Sequence, residues 1–233
     1  MKICTFNIKN DYDLYQKEKS KDIVDFINKN KINILCTQEL FNICENDIIK
    51  DLSKTNYKIY GNYRFKLGIF KKINEKVGII TNQKVLLDKT YHLPYLPSLL
   101  KRVVTKIIID TNEFGKLAII NTHLDYMFDF VKKRQLKKLI KLIKDEKLPI
   151  ILTGDFNLKN NNPIFNNFVN ELESLNLKRI EINEKTLKQS KYHRAIDHIF
   201  VSNSIKVKNV EVVKNLEISD HYPVLIEIVK NGL

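Results

Sequence analysis

Short runs rich in Ile, Val, Leu and Phe alternate with polar segments from one end of the chain to the other, which restricts the fold to one built mainly of strands. Twelve runs read as strands: 2–7, 32–38, 57–61, 67–71, 77–81, 85–91, 102–110, 116–122, 150–154, 195–202, 205–213 and 224–229. Residues 111–115 read as a hairpin turn, and Asn203 as another between Val201 and Ile205. Helical spacing is confined to 14–30, with Ile23, Phe26 and Ile27 on one face, to 45–53, to 129–146 with Val131, Leu136, Leu139, Ile140 and Ile143, and more weakly to 163–175. Many strands with helices between and around them predict a sandwich of two sheets covered by helices. No Pro/Gly/Ser-rich linker, composition break or repeat divides the chain, so one domain over residues 1–233 is expected.

With 43% hydrophobic and 29% charged residues and only 6 Gly and 5 Pro, collagen-like, low-complexity and disordered chains are excluded. Apolar runs such as 107–109 and 117–120 are broken by charge far short of the roughly 20 residues of a membrane span. Met1 runs directly into Lys2-Ile3-Cys4-Thr5-Phe6, without a basic leader or an apolar signal core, so a cytoplasmic protein is expected. Cys4, Cys36 and Cys44 are odd in number and lack CxxC spacing, which points to buried thiols rather than to disulfides or a zinc site. Forty Lys+Arg against 27 Asp+Glu give a net charge of +13, favouring polyanions such as nucleic acid or an anionic membrane surface. That excess is nearly all lysine scattered along the chain, as AT-rich codon usage produces, so charge alone does not decide. The basic residues of the third helix, from Lys132 to Lys144, read first as a solvated outer face.

The informative residues are polar groups at the ends of apolar strands, where a scaffold presents reactive side chains. They are Asn7; Gln38-Glu39; Asn121-Thr122-His123-Leu124-Asp125; Gly154-Asp155-Phe156-Asn157; Ile196-Asp197-His198; and Ser219-Asp220-His221-Tyr222-Pro223. Singly, Asn7, Asp155 and Asn157 also read as turn or cap residues, and Asp197 beside His198 as a surface pair. Glu39 is harder to set aside, because a carboxylate directly after a buried run must be paired, solvated or metal-bound. Together they make an inventory for phosphate-ester hydrolysis. Glu39 with Asn7 or Asp220 offers the oxygen ligands of a hard cation such as Mg²⁺. Asp155, Asn157, His123 and His221 have the chemistry to activate water and to donate to phosphoryl oxygens.

On these residues the sequence resembles the endonuclease/exonuclease/phosphatase superfamily: Asn7 in TFNIKN, Glu39 in TQEL, His123 in NTHLD, Asp155 and Asn157 in GDFN, Asp197 in IDHIFVS, and Asp220 and His221 in SDHYPV. The resemblance runs from Asn7 to about Ile228. It implies an α+β fold, a four-layered α/β sandwich with two mixed β-sheets packed face to face and flanked by helices, and the site at one edge. It also implies roles. Glu39 binds Mg²⁺, or Mn²⁺ in its place, with help from Asn7 and Asp220. Asp155 activates or orients water and Asn157 contacts phosphate. His221 stabilises the phosphorane with Asp197 as its carboxylate partner, and His123 is a second phosphate-side histidine. By the same likeness Glu75 resembles the acidic partner of His123, and Arg102 a phosphate-binding arginine. A solvated turn at Glu75 and a surface salt bridge at Arg102 stay open.

The Asn121-Thr122-His123 segment departs from the motif of apurinic endonucleases, which favours the histidine-containing branches. Short segments between motifs leave little room for long lipid- or inositol-recognising insertions, and residues 91–100 form the one apolar, aromatic loop, which reads first as packed on the core and otherwise as lining a substrate. The resulting expectation is a monomeric Mg²⁺-dependent phosphodiesterase, most simply a nuclease for DNA or RNA, with nucleic acid as substrate and no stable protein partner. A phosphoesterase for a phospholipid, an inositol phosphate or a DNA-end adduct is the alternative, and a nucleic-acid-binding module without catalysis a third.

Overall fold

A computed structural model describes residues 1–9, 16–53, 55–64, 75–98, 101–189 and 195–230. The strands in chain order are β1 (Lys2–Asn7), β2 (Ile34–Phe41), β3 (Lys58–Tyr60), β4 (Glu75–Thr81), β5 (Lys84–His92), β6 (Val103–Thr111), β7 (Gly115–His123), β8 (Ile150–Asp155), β9 (Leu177–Arg179), β10 (Asp197–Ser202), β11 (Lys206–Val212) and β12 (Val224–Val229). The helices are α1 (Gln16–Asn30), α2 (Asn42–Leu52), α3 (Asp129–Lys144) and α4 (Pro163–Ser174). Two six-stranded sheets result, ordered β11-β12-β1-β2-β4-β3 and β5-β6-β7-β8-β10-β9. Both are mixed: β1–β2 and β7–β8 are parallel, and every other pair is antiparallel. Each parallel pair requires a crossover; α1 supplies the first and α3 the second.

Side-chain alternation sorts the strands into four layers. Ile3, Ile34, Cys36 and Ile79 face Ile107, Ile119, Ile151 and Ile199 between the sheets. Cys4, Phe6, Leu35 and Leu40 turn the other way, against Ile23, Phe26, Ile27 and Ile48 of α1 and α2. Val104, Ala118, Ile120, Leu152 and Phe200 pack on α3 and α4. The amphipathic stripe of α3, with Val131, Leu136, Leu139, Ile140 and Ile143 buried, follows the sequence spacing. α4 starts where Asn162 Oδ1 accepts from the backbone N–H of Ile164 at 2.8 Å, with Pro163 in the first turn. The architecture is the expected α+β sandwich. No helix among the described residues is long and apolar enough to cross a membrane.

Two readings change and one lies outside the described residues. Asn203 does not turn a hairpin: β10 lies in one sheet and β11 in the other, so the chain crosses between sheets there. The spacing of apolar residues on either side of a turn does not say which neighbour each strand pairs with. β9 is an unforeseen three-residue strand, with only Leu177 of it buried. The anticipated strand at 67–71 lies outside the described residues. The hairpin at 111–115 forms, with Gly115 at φ +66° and Thr111 Oγ1 bonded to the N–H of Phe114 at 2.9 Å.

His198 shows what burial does to a polar side chain. It points away from Asp197, between strand and helix, with its ring 4.2 Å from that of Phe165 and Nε2 2.9 Å from the Leu158 carbonyl. Both Asp197 and His198 are 1% exposed, so they are not a surface pair. Burial pushes the His198 pKa down to about 4 from 6.5. The unfolded chain therefore binds this proton more readily, and His198 costs the fold stability as pH falls from 6.5 to about 4. The loss approaches about 3 kcal/mol at the bottom of that window. Urea denaturation between pH 7 and pH 4 should show this slope, and a His198→Gln protein should lack that share of it.

Candidate active site

The site grows from strand register. His123 at the end of β7 sits opposite Asp155 at the end of β8, and Asp155 sits opposite Asp197 at the start of β10. Laterally paired residues share a face, so these three side chains form a row directed between the sheets. One step back, Asn121 and Thr153 share that face, while Thr122, Gly154 and His198 take the other. Gly154 is required: a Cβ there would stand 2.2 Å from the Thr122 carbonyl oxygen.

The opposite sheet brings Asn7 at the end of β1 and Glu39 on β2. Leu35 and Leu40, five residues apart, both pack against α1 and α2, so one extra residue has been inserted between them. The register of β2 on β4 slips between Thr37 and Leu40, and Glu39 adopts φ +57°. This bulge turns the Glu39 carboxylate off the strand's alternation toward the site. Beneath it a buried polar bridge joins the sheets: Gln38 Nε2 donates to Asn121 Oδ1 at 2.7 Å and to Thr5 Oγ1 at 3.1 Å. Asn121 Nδ2 in turn donates to the carbonyls of Thr37 and Gly78, both at 2.9 Å.

Asp155 is the hub. Its Oδ2 accepts from Asn7 Nδ2 at 3.0 Å and lies 3.5 Å from His123 Nε2 and 3.8 Å from His221 Nε2. Its Oδ1 accepts from the backbone N–H of Asn157 at 2.9 Å. Asn7 Nδ2 also reaches Glu39 Oε1 at 3.2 Å, and His123 Nε2 is 4.0 Å from that oxygen. Asn157, at φ +50°, donates its side-chain amide to the Leu124 carbonyl at 3.1 Å.

The two histidines are set in opposite protonation states. His221 Nδ1 donates to Asp197 Oδ2 at 2.8 Å. Burial alone would lower its pKa, but the Asp197 charge and hydrogen bond, joined by Asp155 and Asp220, push it up to about 10. His221 is therefore imidazolium at neutral pH. His123 is driven well below the usual histidine range, first by burial and then by the charges of Arg102, Arg64 and His221. It is neutral, and its tautomer follows: Arg102 Nη1, 3.0 Å from Nδ1, can only donate, so the ring's single N–H is at Nε2, facing Asp155 and Glu39. Asp155 is raised by burial and by the Asp197 charge beside it.

Glu75 is not the direct partner of His123. Arg102 takes the Nδ1 position, and Glu75 Oε1 lies 3.9 Å from Arg102 and 2.7 Å from Arg64. Neither the solvated turn nor the surface salt bridge holds, since Glu75 and Arg102 are each 5% exposed. The structure brings Asn7 and Glu39 together; Asp220 lies 3.8 Å from Lys9 Nζ. Glu39 and Asp155, joined through the Asn7 amide, are hard-oxygen ligands of the kind a divalent cation takes. Asp197 Oδ1, buried without a hydrogen-bond partner among the described residues, agrees with that fit; His221, charged and bonded to Asp197, is a donor there rather than a ligand.

Sequence reading assigned no role to the supports. Ser219 Oγ donates to the Asn7 carbonyl at 2.6 Å and accepts from the His221 N–H at 3.1 Å, so it ties the last motif to the first. Thr186 Oγ1 accepts from the N–H groups of Ile196 and Asp197, and its carbonyl accepts from Tyr222. Nothing in the local sequence marks Thr186. Arg64 had a signal: only five of the 40 basic residues are arginine, which in a lysine-biased chain makes each one conspicuous.

Asp197→Asn keeps the shape and removes the charge that holds the His221 proton. The His221 imidazole signals should stay those of the charged ring from pH 6 to 9 in the parent and titrate near or below neutrality in the variant. An unchanged His221 titration would show that Asp197 is not its controlling partner.

A sequence profile described as the Endonuclease/Exonuclease/phosphatase family matches residues 4–221. No curated protein sequence matches the chain. Among solved structures, an endonuclease/exonuclease/phosphatase family protein from Bacteroides thetaiotaomicron superposes with a TM-score of 0.85 at 21% identity, covering 100% of this chain and 98% of that one. A mannosyl-6-phosphatase from the same organism gives 0.83 at 21% identity, over 98% and 99%. The human Nocturnin catalytic domain with bound sulfate gives 0.78 at 17% identity, over 99% and 94%. At these identities the structural likenesses speak for the fold, and the profile match speaks for the family. The chain belongs to the endonuclease/exonuclease/phosphatase family, whose members are hydrolases acting on phosphoester bonds.

Proposed function

We propose that the protein is a Mg²⁺-dependent phosphodiesterase that hydrolyses nucleic acid, acting as one catalytic unit over residues 1–233 in the reducing cytoplasm, without a stable protein partner. The observation that carries the chemistry is the pair of pre-set imidazole N–H donors. His221 is fixed by Asp197 at 2.8 Å and His123 by Arg102 at 3.0 Å, and both are directed at Asp155 Oδ2. Buried, oriented donors need no reorganisation when charge develops on a phosphoryl group. The net charge of +13 favours a polyanionic substrate, and the unpaired thiols of Cys4 and Cys36 suit a reducing compartment.

In this reading Asp155 accepts a proton from water as its oxygen attacks phosphorus in line with the leaving oxygen. The P–O bond breaks, and the leaving oxygen takes up a proton from solvent. His221, charged, and His123, neutral, donate Nε2–H to non-bridging oxygens, with Asn157 positioned by Leu124 to contact the phosphate. Arg102, already bonded to His123, adds positive charge behind that ring. Glu39, Asn7 and Asp220 would hold Mg²⁺, or Mn²⁺ in its place, which would supply Lewis-acid charge to the reacting phosphate.

A small phosphoester is the second reading, favoured by the near-complete overlap with the mannosyl-6-phosphatase fold. Nicking of supercoiled plasmid separates them. The purified protein should nick with Mg²⁺ and stop in EDTA, and His221→Ala should lose at least a hundredfold in turnover, as for one preorganised donor. Near-normal turnover in a folded His221→Ala protein would remove that histidine from the mechanism; cleavage of neither plasmid nor single-stranded oligonucleotide by the folded parent would favour the small ester. Salt gives a further readout. Affinity for a polyanion held by several Lys and Arg contacts should fall steeply as salt rises, whereas a substrate held at one phosphate should respond weakly.

A further inference from the structure

Four of the eight large apolar residues exposed among the described residues lie on two short segments beside the catalytic row: Leu96, Tyr126, Met127 and Phe130. Tyr126 is 56% and Phe130 51% exposed, so neither contributes much to the core. Their place is fixed by the site. β7 ends at His123; the next residue, Leu124, donates its N–H to the Asp155 carbonyl at 2.9 Å and accepts from Asn157 Nδ2 at 3.1 Å. The chain then surfaces at Tyr126.

The segment is also rigidly held. Asp125 Oδ1 accepts from the N–H groups of Met127 and Phe128, both at 2.9 Å. Gln135 on α3 accepts from the Asp125 N–H at 2.8 Å and donates to the Pro94 carbonyl at 2.9 Å, joining both segments. Arg134 Nη1 donates to the Leu96 carbonyl at 3.0 Å. Phe130 and Arg134 are one helical turn apart and so share a face, and the Phe130 ring sits 5.5 Å from that of Phe128. Exposed Lys133 and Lys137 continue the basic character along α3.

We propose that this rim is a stacking platform for an unpaired base of single-stranded nucleic acid, seated next to the phosphodiester that Asp155 and the two histidines engage. The inference rests on the nuclease reading and adds the state of the substrate. Exposed rings carried on a backbone held by hydrogen bonds and set among basic groups are what base stacking with backbone neutralisation requires. A duplex does not satisfy the platform, because its bases already stack on one another. A bilayer suits it poorly: Asp129, with a side chain 56% exposed, stands within the apolar segment, its carboxylate paired to Lys132 at 2.9 Å.

The test is fluorescence anisotropy in EDTA, so that nothing is cleaved, using a single-stranded oligonucleotide and an abasic deoxyribose-phosphate oligomer of equal length and charge. The full-length parent should bind the base-bearing strand more tightly than the abasic one. Combined Tyr126→Ala and Phe130→Ala should weaken the base-bearing strand at least about fivefold, the loss of roughly one stack, and leave the abasic one unchanged. Tyr126→Phe should retain parental affinity, and circular dichroism melts check that each variant is folded. Equal weakening of both oligomers, no weakening at all, or loss of binding to phosphatidylserine vesicles in place of oligonucleotide would overturn the platform. Hydrolysis is read separately, with Mg²⁺ and the same base-bearing single strand. Base-dependent binding without cleavage of that strand sinks the hydrolytic reading and leaves the platform, whereas cleavage with base-independent binding sinks the platform alone.

Discussion

The molecule depends on the lateral register of β7, β8 and β10. Pairing His123 with Asp155 and Asp155 with Asp197 places three ionisable side chains in one row between the sheets. A slip of one residue would send all three to the helix-covered face and bring Thr122, Gly154 and His198 inward. Gly154 guards against such a change. Its backbone lies so close to the Thr122 carbonyl that no side chain fits, and the aromatic pocket of Phe156 and Phe165 receives the His198 ring. The same register therefore sets core packing on one face and chemistry on the other.

Concentrating charge between two sheets is costly unless each group has a partner. Here the partners also assign function. Asp197 keeps His221 charged; burial, with Arg102 beside it, keeps His123 neutral, and Arg102, an obligate donor, fixes where its proton sits. Asn7 offers one uncharged amide to two carboxylates, Asp155 and Glu39, which tempers their mutual repulsion without neutralising either. Two chemically identical rings thus become a cation and a neutral donor within a few ångströms of one carboxylate oxygen.

The two sheets contribute unequal parts. One supplies the histidine–aspartate row, and the other supplies Asn7, Glu39 and, through the last motif, His221. Their relative position is held by apolar side chains through most of the interface and, near the site, by the Gln38–Asn121 bridge. Buried amides have directional demands that isoleucines lack, so this bridge specifies how the sheets meet where the geometry matters most.

Alternation and periodicity made most elements legible, because burial on one face of a strand or helix is written locally: β1 and β12 begin and end where the apolar runs do. The polar groups at strand ends were legible for the same reason, as departures from that alternation. Their grouping into one site was not. Sheet membership of β10 and β11, the bulge that turns Glu39, the insertion of Arg102 between Glu75 and His123, and the anchoring by Thr186 and Ser219 depend on contacts between residues far apart in the chain. Apolar burial and the reactive side-chain types are readable residue by residue, since hydrophobicity and side-chain chemistry belong to single residues. The burial of Glu75, Arg102, Asp197 and His198, and which groups meet in what protonation state, come from the fold, since desolvation, tautomer and pKa belong to neighbours in space.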